Sequence, residues 1–184
     1  MNYNTDNDMD KITDNIYLGN YIASHNADYL RQLGITKVLS MMDYGAPNYS
    51  NGPYFKQKII NIVDSPTQNI IQHFGECLNF IRGNDKILVH CMFGSSRSAT
   101  IVIAYLMWSQ RITYEQALNV VRSKRFCVNP NDGFKNQLKL FEKLLKENNY
   151  NLNRIQFNNI QLYKKINGYK NANNYFSYQN NNYL

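Results

Sequence analysis

The sequence predicts an α/β domain with a mixed central sheet and helices on both faces. Three observations predict it. Short apolar runs alternate with amphipathic stretches up to about residue 108, and only helical patterns follow. One buried-strand pattern, Lys86-Ile87-Leu88-Val89, runs through a small-residue loop straight into an apolar helix pattern, Ala99 to Trp108. The chain has 184 residues, 43% of them hydrophobic, which suits one domain with a single core.

The elements follow in order. Residues 1–10 are acidic and polar and read as disordered. Ile16 to Gly19 is a short strand, and Ala27 to Leu33 a short helix stopped by Gly34. Lys37 to Met42 is a buried strand. Residues 43–53 carry Gly45, Pro47, Gly52 and Pro53 and read as loop. Lys58 to Ile62 is the next strand, followed by a loop from Asp64 to Asn69. Ile70 to Arg82 is an amphipathic helix with Ile71, Phe74, Leu78 and Ile81 on one face. Gly83-Asn84-Asp85 turns the chain into the strand at Lys86. Thr113 and Gln116 form a capping box for a helix from Tyr114 to Lys124. The last clearly patterned helix runs from Gly133 to Asn148, with Phe134, Leu138, Phe141 and Leu145 in register. The domain is therefore placed at residues 11–149. From 150 to 184 the chain is rich in Asn and Tyr and reads as a low-complexity tail. Leu152, Ile155, Leu162 and Ile166 could supply one marginal helix there.

The chemistry concentrates in His90-Cys91-Met92-Phe93-Gly94-Ser95-Ser96-Arg97-Ser98. A cysteine ends a strand, and an arginine six residues later opens a helix. Gly94, Ser95 and Ser96 let the loop curl so that its backbone N–H groups converge, a nest for an anion at a helix N-terminus. Residues Met92 to Ser96 would supply those N–H groups. Arg97 adds a rigid fork that matches two phosphate oxygens. Cys91 then lies at the base of the cradle, where the positive field favours the thiolate, the nucleophilic form. A phosphate monoester is a dianion, so its oxygens must be neutralised while one polarisable nucleophile faces the leaving group. Ser98 can donate a hydrogen bond to the sulfur and ease its departure. His90 can fix the loop from outside the direct chemistry.

At these residues the chain resembles the dual-specificity branch of the cysteine-dependent protein phosphatases, over roughly Ile12 to Leu145. Ile16-Tyr17-Leu18-Gly19, Leu33 to Leu39, Val63-Asp64-Ser65-Pro66, His90 to Thr100, Ala104 to Met107, Pro130 to Phe134 and Gln137-Leu138 carry the resemblance in order. It implies hydrolysis of phosphotyrosine and phosphoserine or phosphothreonine in phosphoprotein substrates, through a phosphocysteine on Cys91, with no cofactor and no metal. One departure is Phe93, where the family commonly has alanine. A bulky side chain there could reshape the pocket rim.

An alkoxide leaves poorly unless an acid protonates it. Asp28, Asp43, Asp64, Glu76 and Asp85 are upstream candidates. Asp64 alone sits in a loop directly after a strand and before a helix that returns to the nucleophile strand. The resemblance places the family's general acid there too, and Asp43 is held in reserve. Asn131 either braces the cradle or caps the last helix. Lys124 and Arg125 either widen the positive pocket or end a helix in solvent. Cys77 reads as core. Cys127 reads as a packed thiol, with partnership to an oxidised Cys91 as the alternative.

Net charge is +7 and uneven, with four acids and one lysine in residues 1–14 and no acid after Glu147. That suits an acidic ligand, but no nucleic-acid signature accompanies it. Three scattered cysteines exclude a disulfide framework, and no apolar run spans a bilayer. A reducing cytoplasm or nucleus is the expected compartment. Two other readings remain in view. A phosphatase of phosphoinositides or RNA 5′-phosphates would favour lysines inside the cradle, and positions 92–96 have none. A binding module that captures phosphoproteins without turnover would not need Cys91, Arg97 and Asp64 together. The oligomeric state is not legible.

Overall fold

The computed structural model describes residues 8–49 and 53–157. Five strands form one sheet in the order β1-β2-β5-β3-β4. They are β1 (Met9–Lys11), β2 (Ile16–Gly19), β3 (Ile35–Met41), β4 (Lys56–Ile60) and β5 (Lys86–His90). The β1–β2 pair is antiparallel, and β2–β5, β5–β3 and β3–β4 are parallel, which makes the sheet mixed.

Alternation along β5 explains the two layers. Ile87 and Val89 point to one face and Leu88 to the other, because successive strand residues alternate. The larger core joins Ile87 and Val89 to Leu18, Leu39, Met41, Phe74, Ile103, Phe134 and Phe141. The smaller core joins Leu88 to Tyr17, Leu30, Ile35, Val38 and Phe55. Short helices α1 (Tyr21–His25) and α2 (Ala27–Gln32) cover the smaller core. The larger one lies under α3 (Phe74–Ile81), α4 (Arg97–Ser109), α5 (Tyr114–Lys124) and α6 (Asp132–Glu147). α4 is buried along nearly its whole length, so it forms the hub of that layer.

Most sequence expectations hold within a few residues, and the differences have physical reasons. The helix expected from Ile70 begins as a 3-10 turn, Ile71–His73, before α3. The expected strand from Lys58 lies at Lys56–Ile60 instead. Helix α1 was not expected, because its five residues are too few to show an apolar period. Asn20 caps it, accepting a hydrogen bond from the Ala23 N–H.

Two boundary expectations are corrected. Disorder up to residue 10 does not hold at Met9 and Asp10, which pair with Gly19 and Leu18 in β1. The tail does not begin at 150. Leu152 and Ile155 are buried in the larger core, with a 3-10 turn at Leu152–Arg154. Phe157 lies over Gly75 and beside Phe141, ring centroids 6.0 Å apart. Leu162 and Ile166 lie outside the described residues.

Candidate active site

Parallel α/β sheets bind ligands beyond the carboxyl ends of their strands. Here β2, β3, β4 and β5 end at Gly19, Met41, Ile60 and His90. Beyond those ends lie Asp43, Asp64 and Cys91, so the topology brings three separated segments to one place.

The loop from Cys91 to Ser96 owes its shape to what holds its carbonyls. Met92 O accepts from the Tyr21 N–H at 3.1 Å, and Ser95 O from the Asn129 N–H at 2.8 Å. Arg125 donates from Nη2 to Phe93 O at 3.2 Å and from Nε to Gly94 O at 3.0 Å. Ser96 O accepts from the Thr100 N–H and hydroxyl, both at 2.8 Å. Each carbonyl from Met92 to Ser96 is thus tied to a donor outside the loop. In a planar trans peptide the next N–H points the opposite way. The N–H groups from Phe93 to Arg97 are therefore turned away from those anchors, toward the loop's concave side. Gly94 N–H confirms the direction by donating to Cys91 Sγ at 3.3 Å.

Gly94 is required there for two reasons. Its φ is +67°, the left-handed region where a side chain is strained. A β-carbon on it would also lie 2.5 Å from Gly19 O and 2.9 Å from Arg125 Nη2.

Cys91 is buried, and its sulfur accepts a second hydrogen bond, from Ser98 Oγ at 3.1 Å. Two donors thus converge on one sulfur. Arg97 is buried as well. Its Nη1 donates to Asp43 Oδ1 at 2.8 Å and to Ile62 O at 3.0 Å. Its Nε is buried and has no hydrogen-bond acceptor among the described residues. A buried donor without a partner is costly, and this one is free to meet an anion in the nest. Burial pushes the Asp43 carboxyl up. The Arg97 hydrogen bond and charge, with the Asp43 and Tyr44 backbone N–H groups, outweigh burial and hold it below the ordinary carboxylate range. Asp43 therefore stays charged and steers Arg97.

Asp64 is exposed at the mouth of the loop. Its Oδ1 accepts from Ser96 Oγ and from Asn131 Nδ2, each at 2.8 Å. Asn131 caps α6 as the sequence allowed, its Oδ1 accepting from the Phe134 N–H at 2.9 Å. Its amide holds the Asp64 carboxylate instead of making side-chain bonds to the loop backbone. Its N–H also donates to Ser96 Oγ at 3.2 Å. The Asp64 loop rests on the start of α6, where a β-carbon on Gly133 would fall on the Pro66 carbonyl. Buried Gln137 finishes the job by accepting from the Ile70 and Ile71 N–H groups and donating to Gln68 O.

His90 is fully buried, and its Nε2 lies 2.7 Å from Ser40 Oγ on the neighbouring strand. Burial holds its pKa down at about 4, so the ring is neutral at pH 7. It fixes the strand end that carries Cys91.

The expected residues Cys91, Arg97, Asp64, Ser98, Ser96, Gly94, His90 and Asn131 are thus joined by direct bonds or chain adjacency. Met92, Phe93 and Ser95 take part through their backbones, and the Phe93 side chain is 73% exposed. Cys77 lies apart in the core, where burial pushes its thiol up. Cys127 is a free, half-buried thiol. Sequence reasoning missed Ser40, the anchoring of Arg97 by Asp43, and the loop-holding role of Arg125. Arg125 is buried rather than a solvated helix end, and Asp10 Oδ2 accepts from its Nη1 at 2.7 Å. A sequence holds no signal for these partners, since each bond joins segments at least thirty residues apart.

So many donors converging around one sulfur match a tetrahedral oxyanion, and the fold and site define a protein that handles phosphate monoesters. Comparison with known proteins narrows this. The family model described as "Dual specificity phosphatase, catalytic domain" matches residues 16–144, and the chain belongs to that family, as a protein phosphatase. It is 42% identical over 142 residues to human dual specificity protein phosphatase 22, covering 74% of this chain and 75% of that one. It is 37% identical over 145 residues to dual specificity protein phosphatase 1B of Arabidopsis thaliana, covering 77% and 86%. Among solved structures it is similar to the human tyrosine phosphatase-like serine/threonine/tyrosine-interacting protein, with TM-score 0.71 and 33% identity over 76% of this chain and 99% of the other. It is also similar to DUSP15, with TM-score 0.68 and 32% identity over 77% and 96%.

Proposed function

We propose that this phosphatase works through a covalent phosphocysteine on Cys91 and releases phosphate from phosphotyrosine and phosphoserine or phosphothreonine. The observation that carries the reading is the run of carbonyls from Met92 to Ser96, all tied outward, which leaves the N–H groups to bind oxyanions. Phosphate oxygens would take those donors and Arg97 Nε, with phosphorus in line above Sγ. Sulfur attacks phosphorus, and the bond to the leaving oxygen breaks. Asp64 gives that oxygen its proton. Oδ1 is occupied by two donors, so Oδ2 is the oxygen that carries the proton. In the second step the Asp64 carboxylate takes a proton from water, the water oxygen attacks phosphorus, and Cys91 leaves as a thiolate eased by Ser98. A thiolate nucleophile needs a reducing compartment, and the free cysteines fit the cytoplasm or nucleus.

The test is a series of aryl phosphates whose phenols differ in acidity. Cys91→Ser should lose turnover while keeping affinity for inorganic phosphate, because the cradle is backbone plus Arg97. Asp64→Asn should slow the poorest leaving groups most, by about 10²-fold or more, and the most acidic phenol least. Substantial turnover in Cys91→Ser would overturn the covalent step. An equal loss for every leaving group in Asp64→Asn would remove Asp64 as the acid.

A further inference from the structure

Four large exposed hydrophobic side chains sit on the segments that build the cradle. They are Tyr44 at 69% exposure, Val63 at 42%, Phe93 at 73% and Phe126 at 90%. Each is covalently next to a group that builds the site. Tyr44 follows Asp43, which holds Arg97. Val63 stands between Ile62, whose carbonyl accepts from Arg97, and Asp64. Phe93 belongs to the loop itself, and Phe126 follows Arg125, which grips the Phe93 and Gly94 carbonyls. These backbones are already pinned, so the aromatic groups can be covered with little further loss of chain entropy. Clustered exposed apolar groups mark a contact surface. The occupant is set by the cradle, since whatever covers the rim must carry the phosphate.

We propose that this rim selects phosphoproteins whose phosphorylated residue is flanked by apolar side chains, aromatic ones included. The inference rests on the phosphatase reading of the cradle. All four rim side chains are neutral. They offer no charge to an acidic flanking sequence or to further phosphates on an inositol ring, whereas they bury against Leu, Phe or Val. Covering roughly 55 Å² of apolar surface, at about 25 cal/mol per Å², gives about a tenfold ratio between apolar and acidic flanks. The effect belongs mainly in KM, because the rim touches substrate and transition state alike.

The experiment compares two phosphotyrosine peptides of equal length, one flanked by Leu and Phe and the other by Glu and Gln. A short-chain phosphoinositide and a small aryl phosphate complete the set. The apolar-flanked peptide should show about tenfold higher kcat/KM. Phe126→Ser and Tyr44→Ser should keep aryl phosphate turnover and move the peptide ratio toward one. A wild-type ratio near one, a ratio that neither variant changes, or preference for the phosphoinositide would each overturn the selection. Failure to turn over even the aryl phosphate would instead overturn the catalytic reading beneath it.

Discussion

His90 stands directly before Cys91, wholly buried and bonded to Ser40. Its charge state links the site to stability. Burial lowers the folded-state pKa from 6.5 to about 4, so the folded protein keeps the ring neutral while the unfolded chain protonates it near 6.5. The unfolded state then binds more protons between those values. Stability from the neutral ring is fully present above about pH 6.5 and is lost as pH falls toward 4. The slope is at most about 1.4 kcal/mol per pH unit for one proton. Denaturant titrations at pH 7 and pH 5 should therefore show a steeper loss for the wild type than for His90→Gln. Parallel losses would mean that His90 is not the group being titrated. At this scale the sequence singled out His90, Cys91, Arg97 and Ser98 because they share one loop, while Ser40 and Asp43, which hold His90 and Arg97, lie far away in the chain. The sequence left two roles open for Asn131: the capping of α6 holds, while its amide reaches Asp64 and not the loop backbone.

Besides Tyr21 and Thr100, three further places shape the loop. Strand β2 supplies the Gly19 carbonyl behind Gly94. The turn after α5 supplies Arg125 and Asn129, and β1 supplies Asp10. β1 has three residues and one pairing partner, yet its Asp10 meets a guanidinium that holds two loop carbonyls. Asp10→Asn removes the charge and keeps the size. Vanadate affinity should fall about tenfold, since small misplacement of a cradle is expensive. Stability should drop by about 1–3 kcal/mol, the usual cost of a weakened charged hydrogen bond. Unchanged vanadate affinity would mean that the strand does not support the loop. Elements were read best where capping chemistry is local. Helix α5 lies at Tyr114–Lys124 as expected, with its capping box formed by Thr113 and Gln116. β1 was missed because Asp10 and the acids around it look like solvent-facing chain until Arg125 is seen beside them.

Across the whole molecule the larger core continues past α6. Leu152 and Ile155 close it, and Phe157 packs over α3, where Gly75 leaves room for the ring. This segment was read as tail because its Asn-rich composition outweighs a few apolar residues in any window. In the full chain, Leu152→Ala and Ile155→Ala should each cost about 2 kcal/mol or more. Thermal and denaturant melts of the single and double variants would check this. A double variant as stable as wild type would make the segment peripheral.

What the sequence determined by itself was the chemistry that is local. A cysteine, five residues and an arginine at a strand–helix junction specify an anion cradle. The periodicities specify strands, helices and their layering. The sequence also singled out Asp64, in the loop between a strand and the helix that returns to β5, although that strand ends at Ile60, four residues before it. Tertiary structure decided which distant groups hold that chemistry in place. Asp43 was a reserve acid in the sequence and is the anchor of Arg97 in the fold. Arg125 was either part of a wider positive pocket or a solvated helix end, and is the buried grip on the loop. The physical reason is that a loop carbonyl has no preference for its donor until strand order and helix packing bring one within about 3 Å. Those partners are set by register and topology, which no single stretch of sequence contains.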